Sequence, residues 1–445
     1  MLERKKLAVS CLIFGMLIGF IIGGSRSAWG HTFDNYGFGS RAIAMGGSLV
    51  GTDNQYTAVY YNPAGMAFHE GKDLDLGVSY LYSFPSLDIK GAGTNPAAFR
   101  SNLSSDQGIS IGLATPLRSG KIAQVISAGI GIYMPYPLIN SIIELKSFDP
   151  TVPYFVQYEN RNQFLMANVG LSYKAWKKLA FGIGADILIR LNTTVDAALV
   201  NNQAKISLDA KFPLDIAPTA GIQYRPTDWL SLGAAYHGKT QIKVAMKANI
   251  MAKELIGSDV PVIISFQDAY KPQQVELGFG AKAMKDLLVS GTLTWVDFSS
   301  YVPPYPVIKI ATDANLAGLA QIAEQYLPKY EIKKFKDYWI PRLGLEYTVT
   351  KHLDARAGYF FRNSSVSAQT GQTSFIDLPT HGISAGIGIT FADPLDIIDN
   401  DIKVDLSYQG QFLKKTTVNK ANAAYQSYTA GGNCQLITGT LSYLF

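Results

Sequence analysis

Gly39-Ser-Arg-Ala-Ile-Ala-Met-Gly-Gly47 leads to Asn62-Pro63-Ala64-Gly65, and from there the chain alternates apolar and polar residues until it closes on Phe445. A glycine-rich segment with a rigid turn, set ahead of a long series of strands, points to a plugged barrel of the bacterial outer membrane.

The alternation is clearest where Leu353, Ala355, Ala357, Tyr359 and Phe361 oppose Asp354, Arg356, Gly358, Phe360 and Arg362. Ile402, Val404, Leu406 and Tyr408 likewise oppose Lys403, Asp405, Ser407 and Gln409. Successive side chains of a strand point to opposite faces, so these rows suit lipid outside and a polar lumen inside. A soluble sandwich alternates too. Loop lengths separate the two. Strands read at 72–84, 107–117, 122–134, 159–174, 178–193, 205–224, 229–246, 262–282, 285–298, 336–349, 352–363, 380–391, 402–413 and 432–445, fourteen in all. Connections after even-numbered strands are mostly short, among them Arg225-Pro-Thr-Asp228 and Thr350-Lys351. Those after odd-numbered strands mostly run from about ten residues to nearly forty. Short turns on one side and long loops on the other are the mark of a barrel with an even strand count. The expected fold is an all-β membrane protein, a 14-stranded antiparallel transmembrane barrel.

The start of the chain reads as an address. Arg4, Lys5 and Lys6 precede an apolar run over residues 7–22, and Ala28-Trp29-Gly30 offers small residues at the cleavage positions. Residues 1–30 are therefore expected to be a signal peptide, with the mature chain beginning at His31. The run is short for a spanning helix, which needs about 20 apolar residues. Cys11 precedes most of it, the wrong placement for a lipidated start, and Cys434 is then alone, which excludes an internal disulfide. Removing the address takes away four basic residues and one acidic residue, leaving a nearly neutral chain with no strong electrostatic partner. No apolar run past Ile22 is long enough for a helical span, so a helical membrane protein is excluded. Residues 31–70 are too few for a core of their own and are expected to form a hatch inside the lumen of a barrel over 71–445.

With these motifs in view the chain resembles the FadL/TodX family of outer-membrane transporters for long-chain fatty acids and other hydrophobic compounds. The sharpest resemblance is Gly39 to Ser48, then Asp53-Asn54 and Val59-Tyr-Tyr-Asn-Pro-Ala-Gly-Met-Ala67, similar to the family's N-terminal hatch. Weaker support comes from Pro272-Gln-Gln-Val-Glu-Leu-Gly278, from Trp295 to Phe298, and from Tyr347 with Leu353, Arg356, Ala357 and Gly358. The resemblance implies fourteen strands plugged by the N-terminal segment, which agrees with the strands read above. It departs from the best-known members in the loops after the first and third strands, which carry no long hydrophobic helix.

Asn62, Pro63, Ala64 and Gly65 would make a turn in any protein; within a hatch their rigidity would position the plug, and a gating role is the favoured reading. Parity along 181–192 puts Asp186, Leu188 and Arg190 inward. A lumenal Arg190 could hold a fatty-acid carboxylate bidentately, although an intrabarrel ion pair is slightly favoured. Arg342, Arg356 and Arg362 are weaker candidates, and Leu188 and Phe33 are candidate apolar contacts for the ligand. Thr312 to Leu327 has helical spacing and could collect amphiphiles or cover the barrel mouth. Gly129 and Gly131 in the third strand are expected to mark a bulge or bend that opens the wall sideways, or else space for the plug.

The five histidines are scattered, with no HExxH and no GxSxG elbow, so an enzyme is not expected. No cofactor, metal or nucleic acid is expected either, and aromatic abundance fits interfacial girdles better than base stacking. The expected protein is a monomer in the bacterial cell outer membrane, in contact with its lipid and lipopolysaccharide. There it is expected to admit hydrophobic small molecules passively, most plausibly long-chain fatty acids, with hatch gating and lateral release. An aromatic-hydrocarbon transporter of the same fold, a general porin, an outer-membrane enzyme and a surface adhesin are the alternatives.

Overall fold

A computed structural model describes residues 35–69, 74–91, 105–117, 125–136, 153–158, 165–189, 192–200, 203–211, 214–250, 260–302, 307–310, 334–393, 401–422 and 425–444. The signal peptide expected over residues 1–30, Phe33, Arg190, the helix expected at 312–327 and Phe445 lie outside these.

Fourteen antiparallel strands close into a barrel. In chain order they are β1 Asp75–Gly91, β2 Asp106–Pro116, β3 Ile126–Pro135, β4 Leu165–Trp176, β5 Leu179–Ile189, β6 Leu214–Tyr224 and β7 Leu230–His237. They continue as β8 Gln273–Met284, β9 Leu287–Asp297, β10 Tyr338–Thr350, β11 Leu353–Arg362, β12 Thr380–Ala392, β13 Asp401–Val418 and β14 Tyr428–Leu444. Closure is made by β14 against β1, paired from Asp75 with Leu444 to Gly91 with Tyr428. The period of two sorts the side chains as the sequence indicates. Leu406 and Tyr408 are exposed to the lipid side while Asp405, Ser407 and Gln409 are buried inside; Tyr359 points out while Arg356, Phe360 and Arg362 point in. Exposed Tyr173, Trp176, Tyr224, Trp229 and Tyr347 cluster toward the short-turn end, as an interfacial girdle requires.

Three of the expected strands are shorter in the wall than their hydrophobic patterns suggest. The span expected at 229–246 leaves the barrel after His237, where Gly238 N–H donates to the Pro218 carbonyl, and resumes as Thr240–Ile250. The span at 262–282 breaks at Pro272, which has no N–H for the ladder. Thr240–Ile250, Val260–Lys271 and Val307–Ile310 form a separate three-stranded sheet, and Asn192–Val200 pairs with Gln203–Lys211 as a hairpin. The latter takes the start of the strand expected at 205–224.

The bulge expected at Gly129 and Gly131 is not there. β3 pairs with β2 and with β4 in unbroken register, Gly129 opposite Ala114 and Gly170, Gly131 opposite Gly112 and Asn168. A Cβ on Gly129 would lie 2.4 Å from Met66 Sδ, and one on Gly131 3.1 Å from Phe38. Both glycines make room for the plug.

That plug is residues 35–69, with helices α1 Ser40–Ala44 and α2 Ala58–Tyr61 and a 3-10 helix over Pro63–Phe68. Phe38, Met45, Leu49, Tyr56, Val59 and Met66 are buried together with wall residues Ala114, Tyr133, Met166 and Leu188. The segment completes its core only against the barrel, as its length requires. Inward-facing glycines prepare the wall for it. Added Cβ atoms would collide with Tyr56 from Gly77 and Gly112, with Ala64 from Gly182, with Asn62 from Gly221, with Val50 from Gly233, with Ser48 from Gly344 and with Gly46 from Gly358.

Candidate functional site

The NPAG turn is the joint between plug and wall. Asn62 is fully buried, and its Oδ1 accepts from Ala64 N–H at 3.1 Å, which caps the 3-10 helix begun by Pro63. Its Nδ2 donates to the carbonyl of Val50 in the plug at 2.8 Å and to that of Ile222 in β6 at 3.0 Å. One side chain thus ties two plug segments to a barrel strand. Gly65 is glycine because a Cβ there would stand 2.2 Å from the Asp53 carbonyl oxygen. Ala64 packs with Ala67, Phe68 and wall residue Ala180.

The short-turn end is periplasmic by the barrel rule, and there the plug is held by charge. Arg41 makes two bonds to Glu346, at 2.8 and 2.9 Å. Glu346 also accepts from Arg356, which bonds Asp405 and Asp354, and Lys403 joins Asp354 at 2.7 Å. Arg41 lies 3.8 Å from Asp53. Burial pushes the Asp53 carboxyl up to about 6 against the pull of Arg41. A cavity of about 840 Å³ opens below this face, floored by plug residues such as Asn54, Gln55, Phe68 and His69 and ringed by Lys174, Lys282, Lys285 and Arg225.

Two small cavities lie above the plug among the described residues. A cavity of about 30 Å³ sits on Gly37, Gly47, Tyr60 and Tyr61, against His237, Glu276, Arg342 and Phe360. Beyond it one of about 40 Å³ is walled by Tyr270, Phe298, Tyr301, Tyr338, Val296 and Ile340. Asn35, Gln274 and Arg342 line both. Each has room for only a few waters, at roughly 10–15 Å³ apiece, so a larger guest has to move side chains or the plug. The upper walls are aromatic and tightly joined: Phe298, Tyr301, Phe335 and Phe375 follow one another in tilted and edge-to-face contacts at centroid distances of 4.9 to 5.4 Å. Beside the lower cavity, Lys271 bonds Asp186 at 2.6 Å and lies over the Tyr60 ring, while His237 stands between Asp186 and Glu276. Lys271 and Asp186 compensate each other's charge, as burial demands.

Of the residues singled out from sequence, the four of the NPAG turn come together at the wall. Leu188 is buried against the plug with Tyr60 and Tyr61. Arg356 and Arg362 are committed, the first to three carboxylates and the second to Asp377 at 2.6 Å. Sequence reasoning missed the glycine wells and the Asp186, His237, Lys271 and Glu276 group. One inward glycine recurring in strand after strand was the signal available for the first; the second joins positions far apart in the chain and had none.

The fold has relatives. Residues 20–445 match the family of outer membrane protein transport proteins (OMPP1/FadL/TodX). Alkane uptake protein A of Marinobacter nauticus is 20% identical over 446 residues, covering 95% of this chain and 93% of the relative. Among solved structures, a FadL homologue of Pseudomonas aeruginosa superposes with a TM-score of 0.59 at 17% identity, over 95% of this chain and 99% of that one. The toluene transporter TodX of Pseudomonas putida gives 0.57 at 16% identity, over 92% and 99%.

Proposed function

This chain belongs to the OMPP1/FadL/TodX family of outer-membrane transport proteins, whose members carry hydrophobic compounds, and on that footing we propose that it admits long-chain fatty acids passively through a hatch that shifts to let them pass. The observation that carries this reading is the aromatic lumen resting on a plug whose apolar core is shared with the wall. An aliphatic chain buried among Tyr270, Phe298, Tyr301 and Tyr338 gains about 25 cal/mol per Å² of covered apolar surface. Descent past Tyr60 and Tyr61 then requires the plug to yield. No coupling to an energy source is part of the proposal; the larger energised barrels use about 22 strands.

Toluene and alkanes belong to named relatives, and a purely hydrocarbon substrate is the second reading here. Uptake of radiolabelled palmitate, hexadecane and toluene by cells expressing the chain separates them. Palmitate uptake above the level of a strain without the protein supports the proposal; uptake of hydrocarbon alone overturns it in favour of the second reading.

Release is proposed to be sideways into the bilayer, because apolar surface opposes release to water. Since the β3 ladder is closed in this structure, such a route at β3 needs the strand to part from a neighbour. Disulfide staples between lipid-facing partners, Leu113 with Ile130 and Ile130 with Val169, test it. Full uptake in both stapled proteins removes the route at β3.

A further inference from the structure

We infer that the lipid-facing patch at the outer ends of β11, β12 and β13 is a docking site for a phosphorylated glycolipid of the outer leaflet, the lipid A part of lipopolysaccharide. The site is independent of the proposed transport. Phe361, His381 and Phe412 form a row across the three strands, Phe361 paired with His381 and His381 with Phe412. The rings of Phe361 and His381 have centroids 4.8 Å apart, and the Tyr359 hydroxyl meets His381 Nδ1 at 2.8 Å. Tyr359, His381 and Phe412 are all exposed on the wall. The imidazole is thus fixed through Nδ1, and among the described residues its Nε2 has no partner.

Height places this row at the membrane boundary. The outward row of β13 runs Ile402, Val404, Leu406, Tyr408, Gly410 and Phe412, and carries no charge until Lys414. At about 3.4 Å per residue and a tilt of about 40°, Ile402 to Phe412 climbs roughly 26 Å, which matches an apolar band about 25 Å tall. Just above it the β13 register against β14 shifts between Leu413 and Thr416, so Lys414 and Lys415 form a bulge, and both are exposed. Lys414 N–H donates to the Pro379 carbonyl at 2.8 Å, and the Lys414 carbonyl accepts from Thr416 Oγ1 at 3.0 Å. Gly431 gives the bulge its room, since a Cβ there would lie 3.2 Å from Lys415 Cα. Among the described residues neither lysine makes an ion pair, and Asp88, on the neighbouring outer ridge, is taken by Lys90 at 3.2 Å.

The patch is layered as such a lipid is. Acyl chains lie against the uncharged wall below, the rings of Phe361, His381 and Phe412 meet the boundary where chain gives way to sugar, and the adjacent ammonium groups of Lys414 and Lys415 stand at phosphate height. Cations at a membrane surface attract anionic head groups within about a Debye length, and a pair held together by a bulge favours a lipid bearing more than one phosphate. Lipid A has phosphates on a sugar scaffold whose hydroxyls and amides also suit a hydrogen bond to His381 Nε2. A glycerophospholipid supplies a phosphate but no sugar for the ring row.

The test uses the full-length protein in detergent micelles, with heat-modifiable gel migration as the folding control. Native mass spectrometry follows titrations with lipid A, with lipid A stripped of its phosphates, and with phosphatidylglycerol. Wild type should bind intact lipid A more tightly than either of the others. Lys414→Gln with Lys415→Gln should lose about thirtyfold in affinity for intact lipid A and little for the stripped form, while arginine at both positions retains the wild-type value. Phe412→Ala should weaken both forms of lipid A alike, and Lys351→Gln, at a periplasmic turn, should change neither. Equal wild-type affinity for intact and stripped lipid A overturns the inference without any variant. So does undiminished lipid A binding by the glutamine pair. Phosphatidylglycerol bound as tightly as lipid A overturns the glycolipid assignment and makes the patch a site for any anionic phospholipid.

Discussion

The two faces of the plug are held in different ways. The periplasmic face is fastened by a buried ion network running from Arg41 through Glu346 and Arg356 to Asp405. On the outer face, the charged contact at Gly46 is a single bond from Arg342 to a neutral carbonyl. Around the rim between them the fit is steric, glycine against backbone. The difference teaches where a solute arriving from outside gains leverage. On the outer face the contacts of Asn35, Tyr36 and Gly46 are all to neutral groups or from a cation to a neutral carbonyl, and replacing them does not separate buried opposite charges, which would cost about 3–5 kcal/mol for a broken pair.

The comparison breaks most completely if the steric seat is spoiled. A Cβ on Gly182 would stand 2.2 Å from Ala64 N and one on Gly221 2.0 Å from Asn62 Oδ1. Gly182→Val or Gly221→Val should therefore expel the NPAG turn at a cost of about 3 kcal/mol or more. Conductance in planar bilayers should rise at least about tenfold, with heat-modifiable migration retained. Gly439→Ala, whose Cβ would meet only the flexible Leu406 tip at 3.3 Å, should leave conductance at the wild-type level. Because Gly129 and Gly131 belong to the same seat, valine at both should unseat Met66 and Phe38 and raise leakage; tight closure in that variant would show the glycines to have another purpose.

Next in size is Asn62→Ala, which removes three hydrogen bonds at about 1 kcal/mol each. Hydrophobic uptake should change while the barrel stays folded, and wild-type uptake would reduce the motif to an ordinary turn. Arg41→Gln should weaken the periplasmic fastening by about 2 kcal/mol, less than a wholly broken buried pair because Glu346 keeps Arg356. Its signature is that plug openings increase equally with and without ligand. A larger increase with ligand present would mean the two faces are not independent.

The smallest effect expected is a pH dependence from Asp53. Its carboxyl is raised from the ordinary 3.8 to about 6 by burial, so the seated plug binds a proton more readily than the free segment. Seating is strongest below the ordinary value and is weakened as pH rises through about 6. Opening events should be more frequent at pH 7.5 than at pH 5, and Asp53→Asn should flatten that difference. An unchanged slope in the variant assigns the titration to another group.

The wall was legible in the sequence because its signal is local. A strand at a lipid surface repeats every two residues, so Leu406 and Tyr408 against Asp405 and Ser407 disclose their faces without knowledge of any neighbour. Loop lengths then number the strands, and NPAG marks a rigid turn ahead of them. Where the pattern misled, at 229–246 and 262–282, the same alternation continued into strands of a separate sheet, and only the break at Gly238 and Pro272 showed where the wall ended. The site was hidden for the opposite reason. Arg342, Arg356 and Arg362 are equivalent in parity and composition, and what distinguishes them is whether a carboxylate reaches them, Asp405 of β13 in one case and Asp377 of the segment before β12 in another. Glycines 129 and 131 read either as a weakness in the wall or as space for the plug, and Met66 and Phe38 lying on them decide for the second. Period-two patterning determined by itself which way each side chain faces. The partner it meets was decided by barrel closure and the insertion of the plug, because those contacts join residues separated by hundreds of positions, such as Arg342 and Gly46, whose proximity leaves no trace in the order of neighbouring amino acids.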